Sequence, residues 1–598
     1  MDYGCSGVDE VHEITLEASI AKVEAVSFDV FDTLFVRPLV DPEDLFDLLG
    51  ERFGVPDFRG LRCTAQVEAF HEMAASGRAE ITLDDIYACM RGLPAGIRPK
   101  DVSDAEYALE LILTRPNREL WPVFLEAARQ KPVVVTTDMY LPERFFVELF
   151  ERHGAPQVPM FVSSERNATK RDSGALFEQV VAELGVEPGQ VLHIGDNSLS
   201  DVQRAREKGL WAFHYRQPRV GAKPTHAATL SASLAAALPK IADPKTMADS
   251  FYGVGYRYGG PAARGFLAWI RDRAAEDRID ALFFLSRDGY ILERLARRGD
   301  VTGLPSFAYL PGSRVAFTLA ATMESNFAGR LDFLLSGAFG LKPREVLERI
   351  GVPVPAARTM RELSLGDEAP LNEANMPRMR SFLLAYRHAI LTVCHRNRRG
   401  LYQLLRESGI KPGMRIAVVD VGWAGSTQEA LCQALVRMCP VEVHGYYLVL
   451  TDTPECNARR AVMPMRAMFD KDSVGGAMVK RLYAKRVAIE QLFSAPHATV
   501  IGYKVPLGQP VHDLGRGTGP HTHAFIGEML KGVADFSLDF NHICQGLGHP
   551  PDPFETTGPI LDFADSADLA DYTVLDTICN FDAWGSSANH RMTASRYL

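Results

Sequence analysis

The chain has 598 residues, 46% hydrophobic and 23% charged, with a formal net charge of −10. That length exceeds a single hydrophobic core and predicts two to four domains, in a composition typical of soluble globular proteins. The acidic balance excludes binding of nucleic-acid backbones as the main task, because that needs clustered Lys and Arg. Nine scattered cysteines without a C-x-x-C pair predict neither a disulfide framework nor a zinc site, and fit a reducing cytoplasm. No stretch approaches the roughly 20 apolar residues of a membrane span, so any membrane association is expected to be peripheral.

The first element is Ala25-Val26-Ser27-Phe28, an apolar run ending at Asp29 and a polar turn with Asp32 and Thr33. Such runs read as buried parallel strands, whose C-terminal tips are where open α/β sheets place ligands. Asp29 is then a candidate nucleophile or metal ligand, or else an N-cap. Residues 41–130 show helical spacing and predict a lid inserted after the first strand. A second strand, Pro132–Thr137, ends in a hydroxyl, Thr137 with Thr136 beside it, able to bond a phosphoryl oxygen or cap a helix. Met160–Ser164 follows, and Lys170, with Arg171 next to it, enters a helix as a candidate cation. A fourth strand, Gln190–Gly195, leads to Asp196 and Asp201; with Asp29 these carboxylates form an oxygen-rich set suited to Mg²⁺.

The ordered set Phe-Asp-Val-Phe-Asp-Thr-Leu, Thr-Thr-Asp, Lys170 and Gly-Asp-x-x-x-x-Asp resembles the haloacid dehalogenase superfamily over residues 20–216. The resemblance implies a Rossmann-like parallel sheet with a helical cap and phosphatase activity. It also implies Asp29 as nucleophile, Thr137 and Lys170 on the phosphoryl oxygens, and Mg²⁺ on Asp29, Asp196 and Asp201. The family's phosphatases carry a second Asp two residues after the nucleophile. Alignment on Thr33-Leu34 puts Phe31 there, with Asp32 one residue further on. The domain is accordingly expected to be a slow phosphatase, to recruit Asp32, or to act on a good leaving group.

Residues 217–246, rich in Ala, Pro, Ser and Lys, predict a linker with one short helix, and residues 247–598 a second α/β domain. Its Gly- and Tyr-rich opening, Phe251–Pro261, reads either as a sugar-stacking surface or as a packed connector. The strand Ala281–Leu285 ends in Ser286-Arg287-Asp288-Gly289 and enters a helix, a layout for sugar phosphates. Phe307–Leu310, with Gly312-Ser313-Arg314 after it, repeats the theme. A helical insertion is expected at about 328–405. The strand Arg415–Asp420 leads into Gly425-Ser426-Thr427, whose backbone N–H groups and hydroxyls suit a phosphate monoester while Asp420 suits ribose hydroxyls. Val443–Leu450 continues the sheet, and a C-terminal extension begins near 505. Glu490 and the His521-Thr522-His523 pair have no assigned role.

The segment from Asp420 to Thr427 resembles the ribose-phosphate loop of type I phosphoribosyltransferases, which usually carry two adjacent acids where this chain has Asp420 and Val421. The two-part order, with Ser-Arg-Asp-Gly and Asp-x-Gly-Trp-x-Gly in the second half, resembles hydrolases found among bacterial polysaccharide and glycosyltransferase proteins. That resemblance implies a bifunctional enzyme: 5-phosphoribose passes from phosphoribosyl pyrophosphate to a glycan acceptor, and the first domain then removes the 5-phosphate. Arg287 and Arg314 are candidates for the pyrophosphate by charge and strand-end position. Two other readings stay open: a stand-alone phosphohydrolase of a small metabolite with a C-terminal specificity domain, and a binding protein whose fold has lost catalysis.

Overall fold

The structure, a computed structural model, describes residues 15–216, 229–504, 511–514, 520–566 and 570–577. It divides into two compact units, Met1–Thr246 with His542–Pro550, and Met247–Asn541 with Pro551–Leu598.

In the first unit the strands are β1 (Ala25–Phe28), β2 (Phe35–Val36), β3 (Arg115–Pro116), β4 (Val133–Thr137), β5 (Met160–Val162), β6 (Val191–Gly195) and β7 (Trp211–His214). Five of them form a parallel sheet in the order β5-β4-β1-β6-β7. β-Branched and aromatic residues fill both faces: every residue of β1, β4 and β6 is buried. Phe28 of β1 meets Phe124 edge to face, ring centroids 5.6 Å apart, and the buried side chains each stabilise the unit by about 1.5–3 kcal/mol. With β1 central, its register sets Phe28 beside Val135 of β4 and Ile194 of β6, so the residues that follow these strands share one edge.

Between β1 and β4 lie the lid helices Asp44–Phe53, Phe58–Ala75, Leu83–Cys89 and Pro99–Leu113. The lid is shorter than its sequence pattern indicates. β2 and β3 pair as a two-residue antiparallel ribbon, and the helix Leu120–Gln130 packs its apolar stripe on the sheet through Phe124. Residues 217–228 lie outside the described residues, but 229–246 do not form a free linker. The helix Leu230–Ala237 is buried, and Ser233 donates to Asp44 of the lid and accepts from Val40 N.

The second unit holds a separate parallel sheet of β8 (Ala281–Leu285), β9 (Ser306–Leu310), β10 (Arg415–Asp420), β11 (Glu442–Val449) and β12 (Met465–Phe469), in the order β12-β11-β10-β8-β9. A short antiparallel pair, β13 (Val500–Lys504) and β14 (Val511–Leu514), stands apart from it. Strand alternation divides the core: Leu282, Phe284, Ala417 and Val419 pack on one side of the main sheet, and Phe283, Leu285, Ile416 and Val418 on the other. The insertion is a small helical domain of its own, cored by Leu331, Leu334, Val346, Leu347, Met379 and Ile390. The Gly- and Tyr-rich segment is a packed connector, with Tyr256 and Tyr258 buried. The fold class expected from the sequence, two α/β parallel sheets with a helical cap on the first, is present. Among the described residues no helix is long and apolar enough to cross a membrane. The side chains of His521, Thr522 and His523 lie outside the described set.

Candidate functional site

At the edge of the first sheet, β1, β4 and β6 deliver Asp29, Thr137 and Asp196, and the turn after β6 returns Asp201 to the same place. Lys170 Nζ lies between two carboxylates, 2.6 Å from Asp29 Oδ1 and 2.5 Å from Asp201 Oδ1, and is only 2% exposed. Its neighbour is engaged elsewhere: the Arg171 guanidinium makes a two-pronged bond to Glu80 of the lid, at 2.6 and 2.9 Å. Asp138 fixes this turn by accepting the Lys170 and Arg171 backbone N–H groups. Thr136 is occupied as well, 2.7 Å from Ser27 Oγ, whereas Thr137 makes no side-chain hydrogen bond among the described residues and has its hydroxyl to spare.

Asp201 is held from two further directions. His193 Nε2 lies 3.2 Å from its Oδ1, Asn197 N donates to its Oδ2 at 2.9 Å, and the other His193 nitrogen bonds Ser27. Gly195 makes this approach possible, since a Cβ there would stand 2.4 Å from Asp201 Cγ. Ligand atoms of Asp29, Asp196 and Asp201 lie within 4.8 Å of one another. Burial, with Asp201 and Asp196 close by, pushes the Asp29 carboxyl up to about 8 despite Lys170. Burial and the charges of Asp32 and Asp201 push Asp196 up to about 6. Burial also acts on Asp201, but Lys170 and His193 prevail and hold it well below the usual carboxylate range. Three carboxyl groups thus share one lysine and repel one another. Oxygen donors carrying excess negative charge fit a hard divalent cation such as Mg²⁺.

On the lid side Phe31 is half-buried against Phe146, and the Arg37 guanidinium lies 4.4 Å over its ring. Asp32, in the left-handed region at φ 56°, acts electrostatically on both Asp196 and Arg37. The lid is stitched to the sheet edge where Ala79 N donates to Asn167, Leu83 N to Tyr140 O, and Ser163 Oγ to Glu80.

The second sheet gathers a different set. Strand order changes direction between β8 and β10, the point at which doubly wound sheets open a crevice. Asp288 follows β8 and Asp420 ends β10, close enough for the Asp420 charge to act on the Asp288 carboxyl. Burial and Asp420 push Asp288 up to about 8, and burial and Glu490 push Asp420 up to about 7. Glu490 stands with them: Trp423 Nε1 donates to its Oε1 at 2.8 Å, while burial and Asp288 push it up to about 7. Arg287 is the cation that acts on Asp288 and Glu490. Ser286 ties the β8 and β9 loops together, donating to Gly312 O at 2.6 Å. Gly425, at φ 73°, turns the chain into the helix Ser426–Leu435, and a Cβ there would stand 2.2 Å from Met465. Ser426 and Thr427 begin that helix, and among the described residues neither they nor exposed Arg314 bond the carboxyl cluster. Glu490 is the member the sequence left unplaced. Its signal is a lone carboxyl inside the apolar run Val487-Ala488-Ile489-x-Gln491-Leu492-Phe493.

No family model and no curated protein matches the chain. Solved structures similar to its N-terminal region include a haloacid dehalogenase (HAD) phosphatase from Thermococcus onnurineus, at 19% identity and a TM-score of 0.24, covering 32% of this chain and 86% of that one. An L-2-haloacid dehalogenase from Xanthobacter autotrophicus is 16% identical with a TM-score of 0.26, covering 33% and 79%. A putative HAD-hydrolase from Bacillus subtilis bound to magnesium is 16% identical with a TM-score of 0.24, covering 32% and 86%. These likenesses concern the fold of about a third of the chain and leave its chemistry to the residues described above.

Proposed function

We propose that the first unit is a Mg²⁺-dependent phosphohydrolase with Asp29 as nucleophile. The observation that carries this is the buried Lys170 ammonium between Asp29 and Asp201, with Asp196 within ligand distance of both. Lys170 and the Thr137 hydroxyl orient the phosphoryl oxygens. An Asp29 oxygen attacks phosphorus, and the bond to the leaving oxygen breaks with its electron pair on that oxygen. Water then attacks the aspartyl phosphate, releasing inorganic phosphate and restoring Asp29. Mg²⁺, held by Asp29, Asp196 and Asp201, would neutralise phosphoryl charge. Incubation with a panel of phosphoryl compounds and Mg²⁺ is expected to release phosphate, abolished by chelation and lowered about 10⁴-fold or more in Asp29→Asn. Turnover that survives Asp29→Asn sinks this reading.

The carboxyl crevice at the β8/β10 switch point supports a second, tandem reading. Here the second unit transfers 5-phosphoribose from phosphoribosyl pyrophosphate to a glycan, and the first removes the 5-phosphate. Asp420 and Asp288 hold ribose hydroxyls, Gly425, Ser426 and Thr427 the 5-phosphate, and Arg287 and Arg314 the pyrophosphate. Pyrophosphate release that requires both a glycan acceptor and Asp420 is the expected result; release unaffected by Asp420→Asn removes this reading.

A further inference from the structure

Where the lid meets the loop after β1, the first unit carries a cation and an aromatic ring. A leaving group departs on the side of phosphorus opposite the attacking oxygen. Two residues after Asp29 on the same loop is Phe31, with its ring packed on Phe146. Arg37 lies over that ring at 4.4 Å, and its side chain is 13% exposed. One of its five N–H donors is used by Glu110 of the lid helix Pro99–Leu113, at 3.2 Å, its one hydrogen bond among the described residues. Glu110 is 2% exposed, and its second oxygen is buried with no hydrogen-bond partner. The charge of Arg37 is felt by Asp32 on the nucleophile loop and by Tyr140 on the loop after β4. The other nearby cation, Arg62, is fully buried and held by a two-pronged bond to Glu106. Arg37 is therefore a cation at the meeting point of lid, nucleophile loop and β4 loop with donors left over.

We propose that Arg37 stabilises the departing oxygen, and that the substrates of this site are phosphoryl compounds with an acidic leaving group, such as acyl, enol or aryl phosphates, rather than esters of simple alcohols. The inference rests on the phosphohydrolase reading and names its substrate class. As Asp29 bonds to phosphorus, the phosphorus–oxygen bond breaks and its electron pair leaves on an oxygen stable enough to depart as an anion. The Arg37 N–H groups pair with that charge, and no proton is transferred at this step. An alkoxide is too basic to leave in this way, so the alkyl 5-phosphate of the tandem reading would be a poor substrate.

The test is a leaving-group series, from acetyl and 4-nitrophenyl phosphate through phenyl phosphate to glycerol phosphate, with the full chain and Mg²⁺. The wild type is expected to lose kcat/KM steeply as the leaving group becomes more basic. Arg37→Met should lower kcat for phenyl phosphate about 10²-fold, and acetyl phosphate less, with Mg²⁺ affinity unchanged. Phe31→Asp, which places a proton donor on this loop, should raise turnover of glycerol phosphate about 10²-fold. Because Arg37→Met strands Glu110, the double variant Arg37→Met, Glu110→Gln is measured beside it, with the melting temperature as the check of folding. Equal kcat/KM across the series in the wild type would overturn the inference while leaving the phosphohydrolase reading intact, since it would mean that a proton donor such as Asp32 is at work. An unchanged slope in both Arg37 variants would overturn it equally. If no compound in the series shows Asp29-dependent turnover, the phosphohydrolase reading falls, and this inference with it.

Discussion

Two parallel sheets in this chain each bring carboxyl groups to one edge, and the two edges differ in how far a cation offsets that charge. At the first, a buried lysine is placed between Asp29 and Asp201, so charge is met by charge. At the second, half-buried Arg287 acts on Asp288 and Glu490, and Asp288, Asp420 and Glu490 are all pushed up as Asp29 and Asp196 are at the first, with none held down as Lys170 and His193 hold Asp201. The same strand-tip geometry thus yields in one unit a carboxylate held charged by a buried lysine, and in the other three carboxyls that all hold their protons more strongly than a free side chain does.

The comparison breaks most sharply at Lys170. Lys170→Met leaves two carboxylates buried without their cation and is expected to destabilise the first unit by about 3–5 kcal/mol in denaturant titration. A loss below about 1 kcal/mol would mean that the pairing contributes no more than a surface ion pair, and the contrast between the two edges would fail.

A smaller effect is expected at Asp288. Its carboxyl titrates near the usual aspartate value in the unfolded chain and near 8 in the fold, so between these limits the folded form binds more protons. Stability from this group is therefore present at the acid end and is lost as pH rises from about 4 through 8. Asp288→Asn removes the ionisation and should flatten that decline, gaining about 1 kcal/mol or more on the wild type at pH 8 relative to pH 5. Parallel stability curves for the two proteins would show that the carboxyl ionises freely in the fold. Smallest of all is Trp423→Phe, which deletes one hydrogen bond to Glu490, costing about 1 kcal/mol and raising the Glu490 titration further, as read by carboxyl NMR.

The strand-tip residues of both units were legible because a buried parallel strand is a short apolar run whose end is marked by the first polar residue. Choices between neighbours were not legible. Lys170 and Arg171 are equally cationic in sequence, and only the lid carboxylate Glu80, ninety residues away, shows which is engaged elsewhere. Thr136 and Thr137 point to opposite faces of a strand, and Ser27 decides between them. Glu490 and the Arg37–Glu110 pair escaped because their partners come from distant elements. Residues 229–246 looked like a linker because an Ala- and Ser-rich stretch has the same composition whether it is a tether or a small-residue helix packed close to its neighbours.

The bond between Glu80 and Arg171 has a mechanical consequence. Glu80 accepts from Arg171 on both oxygens and from Ser163 on one of them, and the next residue in sequence to this arginine is the site lysine. This foot of the lid and the lysine-bearing turn therefore travel as one rigid piece, a fulcrum rather than a hinge. The lid's other connection is the two-residue ribbon of β2 and β3, so under the proposed reaction a lid movement that kept the lysine in place would bend there.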